Sequence, residues 1–328
     1  MSKVSVIIAT RNRPNFLLRA IRSAREAGKD AEIIVVDDAS TKETFDVCTG
    51  LPNIRYVRLD RNRKLGGARN IGILASTSEY ISFLDDDDAR IPGSLDVQVE
   101  ALNSAPEAGF VYGKAFHGDN DCVPLGSSYP DSCPQGDIFW KLMEWNFVPC
   151  AAVVFRRSCL FRVGLLADGL SGVEDWDLWL RIAALYPVVA VETPVAIWRQ
   201  SSPSSGQYTS QPYEMLALCA RLLRHRWLRL PRAATAPRST RLEASRRFYE
   251  RISDQFIWEA ARSLKGGDID HALKNILTAF RVCPVTTLRK SLRPKSLRFL
   301  AAGVSDKLKP RSHAVASVQD RRVEQTEE

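Results

Sequence analysis

The chain has 328 residues, 45% of them apolar and 26% charged, with a formal net charge of +8. This is ordinary globular composition, long enough for about two domains and a sizeable core. It contains no apolar run near the ~20 residues needed to span a bilayer and no opening segment with the order of a signal peptide, so a soluble protein on the cytoplasmic side is expected.

The charge is unevenly spread. Residues 1–210 hold 22 Lys/Arg and 26 Asp/Glu, a balance of −4, whereas residues 211–328 hold 24 and 12, a balance of +12. Two units with different jobs are implied. The seven cysteines are widely spaced with no C-x-x-C pair. That pattern fits free thiols in a reducing compartment and argues against a zinc site.

Val4–Ala9 reads as a buried strand, and Pro14 opens a helix through Phe16, Leu17, Ala20 and Ile21. Glu32–Val36 is a second near-continuous apolar strand. Such strands, separated by helices, indicate a sheet covered on both faces. Ile54–Leu59 alternates and reads as an edge strand; Leu65–Gly72 reads as a Gly-rich turn feeding a helix. Tyr80–Leu84 is the next strand, and it ends in Asp85-Asp86-Asp87-Asp88. Polar clusters thus follow strand ends, where open α/β sheets place ligands.

Residues 113–150, rich in Gly and Pro, are expected to be a long loop. Ala151–Phe155 returns to strand. Gly172–Ala183 reads as an amphipathic helix with acids at its start, and Val188–Val191 and Val195–Trp198 as two short strands. Ser201–Gly206 marks a boundary. Beyond it the chain is basic and helical, with a linker and basic helix over 206–240, a helical region over 241–304 and a disordered tail over 305–328.

Several clusters could carry chemistry. Asp37 and Asp38 could accept from a nucleobase N–H, or simply form a strand-to-helix turn before the capping-box pattern Ser40-Thr41-Lys42-Glu43. Gly66-Gly67-Ala68-Arg69 could bring backbone N–H groups and a guanidinium to a phosphate, though Gly pairs also mark plain turns. Four adjacent carboxylates repel one another unless a hard cation, or a polar ligand carried by one, holds them; the other reading is a solvated acidic turn. Glu174-Asp175 could supply a general base, or acids suited to a first helical turn.

The order of five stretches is more telling than any one of them. Val4–Arg13, Val36–Thr41, Gly66–Gly72, Phe83–Asp88 and Glu174–Arg181 together resemble a family 2 glycosyltransferase with the GT-A fold, over residues 1–205. The resemblance implies a Rossmann-like α/β/α sandwich with a mostly parallel central sheet, followed by the α-helical region. It implies an inverting, hexosyl-type transfer from a nucleotide-sugar, with a UDP-sugar expected, to an acceptor hydroxyl in glycan or polysaccharide synthesis.

Residue by residue, it implies a nucleotide site at Thr10, Arg11, Arg13, Asp38 (Asp37 second), Arg69, Asp85 and Asp86. It implies a D-x-D cation site for Mn²⁺ or Mg²⁺ at Asp85 and Asp87, and Asp175 as catalytic base with Glu174 as second choice. Inversion by direct displacement needs one base on the acceptor side, without the nucleophilic carboxylate of a retaining mechanism.

Two positions depart from the family pattern. Arg11 stands where many relatives carry an aromatic residue, and Ser201 where many carry a histidine in Y-R-x-H. A non-catalytic nucleotide-sugar-binding scaffold is the alternative reading.

The basic C-terminal helices have two readings, a solvated face or a surface for anionic lipid over residues 219–300. The lipid surface would suit a glycan or lipid-linked acceptor. No nucleic-acid partner is expected.

Overall fold

The computed structural model describes residues 4–200 and 212–291, apart from 42, 43, 50 and 171. In chain order it runs β1 (Val4–Thr10), α1 (Pro14–Glu26), β2 (Ala31–Asp37), α2 (Phe45–Thr49), β3 (Ile54–Arg58), α3 (Lys64–Ala75), β4 (Tyr80–Asp85), β5 (Ala89–Arg90) and α4 (Ser94–Asn103). Then come β6 (Phe110–Gly118), β7 (Pro124–Tyr129), α5 (Phe139–Glu144), β8 (Val153–Arg156), α6 (Leu160–Val163), α7 (Glu174–Ala183) and β9 (Val188–Arg199). The helical remainder is α8 (Pro212–His225), α9 (Pro231–Ala234), α10 (Arg238–Gly266), α11 (Ile269–Val282) and α12 (Pro284–Ser291). The described residues divide into two compact units at Ile252/Ser253.

In the first unit one sheet runs β3-β2-β1-β4-β8-β6-β9-β5, with β7 on β6. Strands β3, β2, β1 and β4 are parallel, as is β6 with β9, while β8 pairs antiparallel with both neighbours. Every residue of β1 is buried, as its continuous apolar run requires when helices cover both faces. β3 is the expected edge strand: Arg55 and Arg58 are exposed and its other residues are partly buried. The chain leaves β1 for β2 and β3 on one side and returns to β4 on the other. The C-terminal ends of β1 and β4 are therefore a topological switch point, where α/β sheets bind ligands.

Three local expectations are corrected. Residues 113–150 are not a long loop: β6 runs on to Gly118, pairs with β7 and is followed by α5. The two glycines of β6, Gly113 and Gly118, reflect close packing, not turns. A Cβ on Gly113 would come within 2.8 Å of Val195, and one on Gly118 within 2.6 Å of Ile197. The two late strands are one strand, β9; Pro194 is accommodated where the register with β6 shifts. Gly66 and Gly67 lie inside the first turn of α3, not in a turn before it. Gly72 in the same helix allows close approach to β1, since a Cβ there would meet Ile7 Cγ2 at 2.3 Å.

The second unit's described part holds the end of α10 with α11 and α12. Asp268 caps α11 by accepting from the His271 backbone N–H at 2.9 Å. Ser253, Cys283 and Thr287 share a buried polar contact, with Ser253 Oγ 3.1 Å from Cys283 Sγ. The expected boundary at 205 and the 305–328 tail fall outside the described residues.

Candidate functional site

The register of the parallel strands assembles the site. Thr10 sits beside Asp37, and Ala9 beside Asp85. A cavity of about 750 Å³ opens there, lined by Thr10, Arg11, Arg13, Asp38, Arg69, the run Asp85–Asp88, Glu174 and Asp175. All the expected site residues except Asp37 reach it. Asp37 is instead a fully buried brace that accepts from the Ser40 N–H at 2.9 Å and from Tyr56 Oη at 2.5 Å. Asp38 lines the cavity and fixes the start of α3 by accepting from the Arg63 N–H at 2.6 Å.

The four carboxylates are held by arginines. Arg69 Nη2 donates to Asp85 Oδ1 at 2.5 Å. Arg13 donates to Asp86 Oδ1 at 2.8 Å and to Asp87 Oδ2 at 2.6 Å. Arg199 Nη2 reaches the same Asp87 oxygen at 2.6 Å, and its backbone N–H donates to Asp88 at 2.9 Å. Thr10 Oγ1 donates to Asp86 Oδ2 at 2.8 Å. Asp86, Asp87 and Asp88 are all buried, so the reading of a solvated acidic turn is wrong.

At these separations each cation offsets the carboxylate repulsion by several kcal/mol even at an effective dielectric of about 20. Burial nonetheless pushes Asp86 up to about 7, against the pull of Arg13, and pushes Asp88 well above the usual carboxylate range. The rings beneath are fixed as well: the guanidiniums of Arg13 and Arg199 lie over Phe16 at 5.0 and 4.6 Å.

Arg69 joins the acidic run to the acid pair. Its Nη1 donates to Glu174 Oε1 at 2.9 Å, and the guanidinium is 2% exposed. Burial alone would lower its pKa, but the carboxylates of Asp85 and Glu174 hold it raised. Burial pushes Glu174 up to about 7, with Arg69 opposing, and raises Asp175 as well. The two acids differ in access. Glu174 is 2% exposed, and its Oε2 has no partner. Asp175 is partly exposed and, among the described residues, accepts from the Trp176 backbone N–H through Oδ1 at 2.6 Å.

The geometry bears on a cation. Among the described residues no group of three or more His, Cys, Asp or Glu could hold a metal ion. The hydrogen bonds described above use one oxygen of Asp85 and one of Asp87, and both residues line the cavity. Two hard oxygen donors fit a Mg²⁺-type ion completed by ligand phosphates, and do not fit a protein-only cage. Ser201, the position of the family histidine, lies outside the described residues.

Other residues at the site were not anticipated from sequence. Arg199, two residues before Ser201, is one of them. Tyr129, Trp145 and Trp198 line the cavity, as do Met215, Leu216 and Cys219 of α8. Asp177 anchors this part of the chain. Fully buried, it accepts from Arg181 Nε at 2.9 Å, Arg226 Nε at 2.5 Å and Nη2 at 3.0 Å, and Trp227 Nε1 at 3.1 Å. It thus ties the segment after α8 to the helix that begins with Glu174 and Asp175. Its only advance signal was its place in the acidic start of α7.

The fold and the site define a class. The chain is similar in structure to S. aureus TarS 1-349 in complex with UDP-GlcNAc, with a TM-score of 0.60 and 15% identity over 93% of this chain and 89% of that one. It is likewise similar to the mannosyltransferase PcManGT from Pyrobaculum calidifontis in complex with GDP-Man and Mn²⁺, with a TM-score of 0.57 and 16% identity over 94% of this chain and 88% of that one. The architecture is that of the GT-A fold.

Residues 5–160 match the family model described as Glycosyl transferase family 2, and this segment belongs to that family. Among curated relatives, an uncharacterized glycosyltransferase of Rickettsia conorii is 28% identical over 188 residues, covering 56% of this chain and 30% of that one. The Escherichia coli UDP-Glc:alpha-D-GlcNAc-diphosphoundecaprenol beta-1,3-glucosyltransferase WfaP is 27% identical over 185 residues, covering 56% of this chain and 70% of the relative. The chain thus spans less than a third of the length of the Rickettsia relative.

Proposed function

We propose that this chain is an inverting glycosyltransferase that moves a sugar from a nucleotide-sugar, a UDP-sugar first among candidates, to an acceptor hydroxyl in lipid-linked glycan or polysaccharide synthesis. One observation carries this reading above the rest. The buried guanidinium of Arg69 pairs with both Asp85, at the end of β4, and Glu174, beside Asp175, in a single ion-pair bridge. A diphosphate at the acidic run and a carboxylate on the far side of the sugar would then be a fixed distance apart, as a single displacement requires.

In this reading Thr10, Arg11 and Asp38 hold the nucleoside end. Asp175 takes the acceptor proton, because it is the member of the pair that is partly exposed and that has no ion pair with a guanidinium among the described residues. Glu174 serves to hold Arg69. A divalent cation held by Asp85 and Asp87 would stabilise the departing diphosphate as a Lewis acid, and the Mn²⁺ in PcManGT supports its inclusion. Arg13 and Arg199 hold Asp87 in place. The catalytic domain of this reading is 1–205.

A second surface is part of the proposal. Among the described residues no helix is long and apolar enough to cross a membrane. In α11, however, Ile269, Leu273 and Leu277 recur every four residues and are 51–67% exposed. An apolar stripe on a basic helical region suits an anionic membrane surface. Sedimentation with anionic vesicles at low salt should pellet the protein, and absence from that pellet would remove this part.

The donor assignment is tested by thermal melts with a panel of nucleotides and nucleotide-sugars in Mn²⁺. A ligand at 100 times its Kd raises stability by about 2.7 kcal/mol. If no nucleotide shifts the melt, the assignment fails.

A further inference from the structure

The cavity has a second end that the nucleotide reading does not use. We infer that Trp145, Tyr129 and Trp198 form an acceptor subsite that stacks a pyranose ring of the acceptor glycan. This rests on the transferase reading above and names what its acceptor side binds.

Four aromatic side chains along the cavity are connected in sequence. Trp176, which follows Asp175, packs edge-on against Trp145 with centroids 6.3 Å apart. Trp145 Nε1 donates to Tyr129 Oη at 3.1 Å, and Tyr129 Oη donates to the Asn146 carbonyl at 2.6 Å. Tyr129 in turn lies 6.5 Å from Trp198, the neighbour of Arg199, which holds Asp87. The wall therefore begins beside the candidate base and ends beside the acidic run. An acceptor hydroxyl seated against it would lie between the two.

The members differ in a telling way. Trp176 is 4% exposed, and its Nε1 is tied to the Leu142 carbonyl at 2.8 Å, so it belongs to the core. Tyr129, Trp145 and Trp198 are only partly buried and line the cavity. Trp198 also packs on the hydrophobic core and beside His117, but a core has no need to leave three large aromatic rings partly open in one cavity. Binding sites do, because such rings give large, rigid contact area at low entropic cost.

The polar edges of Trp145 and Tyr129 are turned to each other and to the backbone. This fixes the ring planes, and all three rings line the cavity that a ligand would enter. A pyranose offers a flat patch of C–H bonds with hydroxyls around its rim, which matches aromatic faces bordered by polar groups such as Asn146. A flexible alkyl chain would need no fixed ring planes and no polar rim.

The test uses hexyl β-D-glycosides of glucose, galactose and N-acetylglucosamine, which carry ring and alkyl protons in one molecule. Saturation-transfer NMR on the full chain in UDP and diamagnetic Mg²⁺ reads which glycoside protons lie against the protein, and the variants assign the contact to the aromatic rings. Ring protons of at least one glycoside should be enhanced over its alkyl protons. That enhancement should fall at least threefold in Trp145→Ala and in Trp198→Ala, with the melting shift caused by UDP unchanged. Tyr129→Phe, which keeps the ring, should retain the signal more fully than either.

Signal confined to the alkyl protons would overturn the proposal in favour of a lipid groove. Ring signal unchanged in both Trp variants, or no saturation transfer from any glycoside while UDP still shifts the melt, would also overturn it. Loss of the UDP shift in the wild-type chain would instead count against the underlying transferase reading.

Discussion

Asp177→Asn is the substitution whose effect the structure determines most directly. The carboxylate is fully buried and accepts four hydrogen bonds from three side chains. Asparagine has nearly the same shape, so no cavity forms and the change isolates charge and donor placement. Its amide nitrogen must face at least one guanidinium N–H, which costs one or two charge-assisted bonds at about 1.5–3 kcal/mol each. Part of this is recovered. The Arg226 side chain is 39% exposed and can turn to water. Arg181 is 8% exposed and cannot, but it keeps the carbonyls of Val163, Gly164 and Leu165.

The net expectation is a loss of about 2–4 kcal/mol, at or below the usual cost of breaking a buried pair. Urea unfolding followed by tryptophan fluorescence reads it, because Trp176 and Trp227 pack 4.7 Å apart beside Asp177. With two units in the chain, the first-unit transition is the one to compare. Under the transferase reading, kcat should fall while KM for the nucleotide-sugar holds, because Thr10 and Asp38 lie on other elements. A shift below about 0.5 kcal/mol would refute the view of Asp177 as the anchor of α7 and the segment after α8.

Further outcomes follow from the same geometry. Asp175→Asn should lower transfer by about 10²–10⁴-fold while leaving the melting shift caused by nucleotide intact; comparable loss in Glu174→Gln with none in Asp175→Asn would exchange their roles. A base works deprotonated, and burial raises both acids, Glu174 to about 7. The acid limb of kcat/KM should therefore fall off above the ordinary carboxylate range near 4, and a limb at 4 would contradict this. Gly72→Ala should cost about 1–3 kcal/mol in urea unfolding, because its Cβ would meet Ile7 at 2.3 Å in the core. Gly66→Ala, with nothing nearer than 3.7 Å, should be neutral or gain up to about 1 kcal/mol. Equal effects of the two would show that α3 does not pack on β1 as described.

Much of this was legible from sequence, because it is written in local patterns. The continuous apolar runs of β1 and β2 told of a covered sheet, and the alternation of β3 of an edge. Polar clusters after strand ends located the cavity, and their order named the family. What was not legible depends on distant partners. Glycine reads as a turn from sequence alone, so Gly113 and Gly118 suggested a loop; their real constraint is the approach of Val195 and Ile197 from β9. Likewise the acidic run looked like carboxylates in search of a cation. Its actual partners, Arg13 and Arg199, lie 74 and 112 residues from Asp87, and no spacing rule connects them. The aromatic wall has the same character, since Tyr129, Trp145 and Trp198 meet only through the fold.

The central claim is that this cavity transfers sugar from a nucleotide-sugar with Asp175 as base. Release of nucleoside diphosphate from a panel of nucleotide-sugars, measured in Mn²⁺ with wild-type protein and Asp175→Asn, tests it most directly. The account predicts release from at least one donor by the wild type, and loss of at least 10²-fold in the variant with nucleotide binding retained. Nucleotide binding without release from any donor, or equal release by both proteins, would contradict it.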